Sequence, residues 1–162
     1  MEKKTTNRRT WKNFETEVAK MFGTSRTPLS GAVQSLTRAD TLHAKLFFEC
    51  KLRNEDHPFV ILHKIFSNHN KTVIACDSLL IMHDSVFDEL YRTKLTVKKI
   101  RLTHKIVYKN LKSIVTLYDK TREKAEIEKK IPVVAIKIKS KRGFFLGFDL
   151  KDYQEILDYY GE

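Results

Sequence analysis

The chain has 162 residues, 41% of them hydrophobic, and a formal charge of +11 with a pI near 9.6. That length predicts one domain with a substantial core, and no run approaches the ~20 apolar residues of a membrane span. The excess of base predicts a polyanionic partner, although a generally lysine-rich proteome would produce the same excess.

Residues 1–9 are basic and lack the apolar core of a signal peptide, which predicts a frayed arm and a cytoplasmic, intracellular location, in the host cell if the chain is viral. From Thr10, a candidate N-cap, the residues Trp11, Phe14, Val18, Met21 and Phe22 recur at helical spacing until Gly23 stops the helix. At ~100° per residue, Glu15 falls beside Trp11, Val18 and Phe22 at the margin of the apolar face, while Glu17 points away. A polar connection carrying Arg26, Pro28 and Ser30 follows, and Asp40 is expected at one end of a neighbouring strand.

Residues 46–53 read as a strand with Phe47, Glu49 and Lys51 on one face and Phe48, Cys50 and Leu52 on the other. The unbroken run Leu46-Phe47-Phe48 predicts cover on both sides. Ionised groups there need a partner or a metal. After the break at 54–58, Phe59, Leu62, Ile65 and Phe66 have helical spacing, and 68–70 is a turn. Residues 72–75 and 79–82 predict a hairpin around Cys76-Asp77-Ser78, and Ser85 with Asp88 predicts a short capped helix over 86–91.

Residues 92–112 contain Arg92, Lys94, Lys98, Lys99, Arg101, Lys105, Lys109 and Lys112 and no acid. Interleaved apolar residues predict ordered strands there rather than a tail. A helix over about 114–129, strands over 133–138 and 144–148 around a basic tip at 139–142, and a closing helix over 149–160 complete the chain. Cys50 and Cys76 lack metal-ligand spacing and read as buried thiols; the six histidines show no zinc pattern, and Tyr91, Tyr108 and Tyr118 read as core.

Glu15, Asp40, Glu49 and Lys51 are the charges set against apolar neighbours. Converging carboxylates repel, and a hard divalent cation relieves them; Mg²⁺ binds through one or two carboxylates, water and phosphate oxygens. Such a site beside a basic surface suits a phosphodiester. A structural account stands beside this one: Asp40 as a turn cap, Glu49 and Lys51 as a same-face ion pair, and Glu15 as an arginine's partner.

Asp40, eight residues, then Glu49-Cys50-Lys51 resembles the signature of the PD-(D/E)xK nuclease superfamily. In order, the Glu15 helix, Arg26-Thr27-Pro28-Leu29-Ser30-Gly31-Ala32 and this signature are similar to archaeal-type Holliday-junction resolvases and to small phage-encoded resolvase-like nucleases. Thr116-Leu117-Tyr118-Asp119, Pro132 through Lys137 and Gly143-Phe144-Phe145 also resemble the end of those phage proteins.

The resemblance implies an α/β fold with a restriction-endonuclease-like core, a central mixed sheet flanked by helices. It also implies Mg²⁺-dependent hydrolysis of DNA, with Mn²⁺ as a substitute, and a homodimer. Asp40, Glu49 and the Cys50 backbone carbonyl would then hold the metal, with Glu15 near it. Lys51 would be the catalytic lysine and Ser30 would lie close to the scissile phosphate. Arg26, Ser30, Arg38 and Arg53 would contact DNA. The basic block, through Lys98, Lys99 and Arg101, and the tip, through Lys139, Lys141 and Arg142, would bind phosphates with an affinity that falls as salt rises.

The resemblance covers roughly 10–53 and 114–150, so 54–112 is expected as an insertion within a single domain, 1–162. The reading is a metal-dependent endonuclease acting on branched DNA. A restriction-like, nicking or single-strand nuclease on the same fold, or a nucleic-acid-binding protein without catalysis, are its rivals.

Overall fold

The structure, a computed structural model, describes residues 3–28, 37–69, 72–109 and 111–160, with the backbone alone for 3–9 and 102. Its described elements run α1 (Lys3–Met21), β1 (Leu46–Arg53), α2 (Val60–Asn68), β2 (Val73–Cys76), β3 (Leu79–His83), α3 (Asp84–Thr93), α4 (Val97–Thr103), β4 (Lys105–Val107), α5 (Lys112–Ile127), β5 (Ile131–Ile138), β6 (Phe145–Asp149), a 3₁₀ turn (Leu150–Asp152) and α6 (Tyr153–Asp158). The strands form one six-stranded mixed sheet in the order β1-β5-β6-β3-β2-β4. β1 and β5 are parallel, as are β2 and β4; the other pairings are antiparallel. The fold is therefore α/β, a mixed sheet flanked by helices. Among the described residues no helix is long and apolar enough to cross a membrane.

Helices cover both faces because the strands are apolar on both. On one face Phe14, Val18 and Phe22 of α1 pack with Phe48 and Cys50 of β1, Phe87 of α3 and Tyr153 of α6. On the other, Leu62 and Ile65 of α2 and Ile114 and Tyr118 of α5 pack on Val134, Ile136 and Phe145. The alternation along β1 is as its pattern predicts: Leu46, Phe48, Cys50 and Leu52 face α1, and Phe47 meets Ala125 of α5. Cys50 and Cys76 are free, buried thiols.

Three expectations need correction. The first helix does not start at Thr10 after a frayed arm; it begins at Lys3, because no glycine or proline stops it and the lysines and arginines at its start favour helix enough to carry Thr5, Thr6 and Asn7. The basic block is not a set of strands: α4 takes 97–103 and only 105–107 is strand. Leu95, Val97 and Ile100 pack on the first core, Ile100 fully buried, so spacing of three residues won over β-branched composition. Tyr91 is 42% exposed rather than core, with its ring edge-on to Tyr160.

Residues 54–112 supply three of the sheet's strands, β2, β3 and β4, so they extend the sheet beyond β6. The β5–β6 tip is pinned to the start of α3: Asp84 N–H donates to the Phe144 carbonyl at 2.9 Å, and a His83 ring nitrogen lies 3.2 Å from the Arg142 carbonyl oxygen. Gly143 has φ +72°, and a Cβ there would stand 2.5 Å from His83 and Asp84 atoms, so glycine is required.

His63 lies against the His83 and Phe145 rings with its Nε2 buried and without a hydrogen-bond partner among the described residues. Burial, then the nearby His83 and Lys141 charges, push its pKa down to about 4. An unfolded histidine takes up its proton near pH ~6.5, so between those values the unfolded chain binds more protons. The stability His63 contributes is complete above pH ~6.5 and is lost as pH falls toward 4. His63→Leu is expected to flatten that part of the stability profile, measured by urea unfolding at pH 7 and pH 4.5. An unchanged difference between the two pH values would assign the acid sensitivity to other groups.

Candidate functional site

The acid-rich end of the sheet is the outer edge of β1, where two irregular segments continue the pairing. Asp40 N–H donates to the Phe48 carbonyl at 2.9 Å, and Arg26 and Thr41 form an antiparallel bridge. Thr27 N–H donates to the Asp40 carbonyl at 3.0 Å and Leu42 N–H to the Ser25 carbonyl at 2.8 Å. Asp40 thus lies beside β1, in a strand-like position as expected.

Its carboxylate Oδ2 accepts the Cys50 N–H at 2.7 Å. Backbone groups of one strand residue point to the same edge, so the Cys50 carbonyl shares the edge on which Asp40 lies. Burial, together with the neighbouring Glu49 and Glu15 charges, pushes the Asp40 pKa up to about 7 despite the Cys50 hydrogen bond. The same three acids, after burial itself, raise the Cys50 thiol. Asp40 therefore lies within electrostatic reach of both Glu49 and Glu15.

Glu49 is 8% exposed and held at both oxygens. Lys51 Nζ donates to Oε1, and Lys124 Nζ, from α5, lies 3.0 Å from Oε2. Burial would raise its pKa, but the hydrogen bonds and charges of Lys51 and Lys124 outweigh that and hold it below the usual carboxylate value. Glu15 is 2% exposed and accepts from Trp11 Nε1 and, at 3.3 Å, from Arg26. Arg26 also donates to the Thr27 carbonyl at 3.2 Å.

Of the residues expected together, Lys51 meets Glu49 and Asp40 lies on the segment beside them, yet in this arrangement Glu49 and Glu15 are ion-paired, as the structural account also had it. Ser30, with Gly31 and Ala32, lies outside the described residues. Arg38 is exposed near Asp40, and Arg53, half-buried at the end of β1, lies 6.0 Å from the Phe59 ring centre. Lys139, Lys141 and Arg142 form the tip after β5; because β5 is parallel to β1, that tip lies at the same end of the sheet as Arg53. Lys98, Lys99 and Arg101 are exposed on α4, next to the opposite edge.

Sequence patterning did not single out the residues that seat Asp40. Glu128, at the end of α5, accepts from the Thr37 hydroxyl at 2.5 Å and from the Arg38 N–H at 2.7 Å, and pairs with Lys130 at 3.0 Å. These bonds overcome burial and lower its pKa. The Thr27 hydroxyl donates to the Ala39 carbonyl at 2.9 Å. Asp40 is therefore held by backbone on both sides, and its segment is clamped to α5.

By donor chemistry the site suits a hard divalent cation: two carboxylates and a backbone carbonyl on one edge, all oxygen. Among the described residues no three His, Cys, Asp or Glu side chains stand as a ready metal cluster, so Glu49 would have to give up a lysine to take part. Comparison of the chain with protein-family models, curated proteins and solved structures finds no match.

Proposed function

We propose that the chain is a metal-dependent endodeoxyribonuclease of the PD-(D/E)xK type, a homodimer that hydrolyses DNA phosphodiester bonds, above all in branched DNA. The observation that supports this reading is Asp40 lying beside the strand that carries Glu49 and Lys51, its carboxylate bound to the Cys50 N–H between them and Lys51 bound to Glu49. The order of parts supports it: a helix with an inward acid, two short paired segments, the acid-x-lysine strand, then α5 leading into β5 parallel to that strand.

A divalent cation held by Asp40, Glu49 and the Cys50 carbonyl would supply an activated water and neutralise charge on the phosphate. The chain's own groups do the rest. Lys51 and Lys124 place two ammonium groups on Glu49; either, released from that carboxylate, can stabilise the extra negative charge of the pentacoordinate phosphate. Glu15 holds Arg26 over the same edge, and Arg53 with the 139–142 tip supplies positive charge for the DNA backbone.

A binding protein without catalysis is the second reading, favoured by the ion pairs that already occupy Glu49 and Glu15. A panel of four-way junction, flap, duplex and single-stranded DNA, each with Mg²⁺ and with chelator, separates them. Mg²⁺-dependent cutting of the junction first is the expected result. Equal cutting of all four overturns the branched-DNA preference, and binding with no product on any overturns the enzyme.

A further inference from the structure

We infer that the far edge of the sheet, formed by α4 and the stretch from β4 into α5, is a second DNA-backbone surface separate from the Asp40–Glu49–Lys51 edge. Near that first edge most cations already have internal partners: Lys51 and Lys124 pair with Glu49, Lys130 with Glu128 and Lys137 with Glu17. The far edge is different. Lys98, Lys99, Arg101, Lys105, Lys109 and Lys112 are all exposed, and none has an ion pair among the described residues.

Nor does that stretch of chain contain an acid. Like charges gathered with little counter-charge repel one another, and folding brings them closer. A polyanion relieves that repulsion by releasing its counterions as the lysines replace them. Two hollows flank the turn between β2 and β3 at this edge. One is lined by Asp77, Lys105, Lys109 and Lys112, the other by Ser78, Lys98, Arg101, Asp149 and Lys151, so in each three bases face a single acid. The cations therefore border concave surface rather than scattered points.

The sheet order sets the separation. β1 and β4 are the two outer strands, with β5, β6, β3 and β2 between them, and five spacings of ~4.8 Å make about 24 Å. At ~3.4 Å per step, that is roughly seven base pairs of duplex. The far edge would thus hold DNA at a distance from the bond being cut, either further along one duplex or on another arm of a branch. The location of the cut rests on the nuclease reading; the backbone contact does not.

The test uses the full chain carrying Lys98→Gln, Lys99→Gln and Arg101→Gln together, surface changes that leave Ile100 and the core untouched. Binding is measured against salt, in chelator, to a 30-base-pair duplex and to a hairpin-closed duplex of 5 base pairs, lengths of about 100 Å and 17 Å, the second too short to span the two edges. Expected is a fall of about 2–3 in the salt slope for the long duplex, a loss of roughly tenfold or more in affinity at low salt, and little change for the short one.

An unchanged slope with the long duplex overturns the inference, as does an equal loss on both lengths, which would place these residues at the first edge. Loss of binding to phosphatidylserine vesicles with DNA binding intact also overturns it. If the unsubstituted protein cuts no DNA, the nuclease reading fails while the slopes still decide whether the far edge binds backbone.

Discussion

Glu49→Gln is expected to lower Mg²⁺-dependent DNA cleavage by roughly 10³-fold or more, the scale of losing a charged group aimed at the reacting phosphate. The substitution keeps the side chain's shape, so β1 should stay packed. It removes the charge that a cation needs and that Lys51 and Lys124 hold at both oxygens. Those two lysines then turn to solvent or to DNA, so binding in chelator should hold or tighten. Asp40→Asn should behave alike, because an amide oxygen can still accept the Cys50 N–H.

Lys124→Met is expected to cost less, about tenfold, since Lys51 remains on Glu49. Single-turnover cleavage of a labelled junction, with binding measured separately, checks all three variants. Cleavage that survives Glu49→Gln or Asp40→Asn in clean protein would remove these residues from the chemistry and leave the structural account of their ion pairs standing.

Phe22→Ala should be the most damaging of the core truncations near the site, costing about 3–5 kcal/mol. Phe22 is 1% exposed, with ring centres 4.9 Å from Phe48, 5.7 Å from Tyr160 and 5.9 Å from Phe87. It therefore ties the end of α1 to β1, α3 and the C-terminal residues at once. For a chain of this length, that loss corresponds to roughly 10 °C in Tm, and it would consume much of a total stability of ~5–15 kcal/mol.

The same helix carries Glu15 and Trp11, so the damage should reach the strand edge through a loosened α1. Phe22→Leu, which refills most of the space, should recover most of the loss. Thermal unfolding of the two variants compares them directly; a loss under about 1 kcal/mol for Phe22→Ala would mean that this end of α1 repacks freely.

Much of this was legible because it is local. Alternation along 46–53 correctly put Phe47, Glu49 and Lys51 on one face, and helical spacing put Glu15 at the margin of the apolar stripe, where it is buried against Trp11. The hairpin about Asp77 and the tip before Gly143 were marked by their turn residues, both of which take positive φ. The 97–103 segment was misread since valine, isoleucine and leucine among lysines fit a strand as well as a short helix, and only packing of Ile100 decides.

Lys124 and Glu128 were illegible for another reason. They meet Glu49 and Thr37 across 75 and 91 residues of chain, and in a sequence they look like any charged residues on a solvated helix face.

That long reach has a consequence for the chain while it is being made. Asp40 and Glu49 leave the ribosome some eighty residues ahead of β5, which zips along the whole of β1, and of the Glu128 clamp on Thr37 and Arg38. Until then β1 has no parallel neighbour, Asp40 has no seat and Glu49 lacks its second lysine. A polypeptide released early, or clipped before α5, would carry the whole acid-x-lysine signature and still have no assembled centre. A copy lacking α5 and β5 would therefore keep the signature as sequence while losing the packing that gives it a shape.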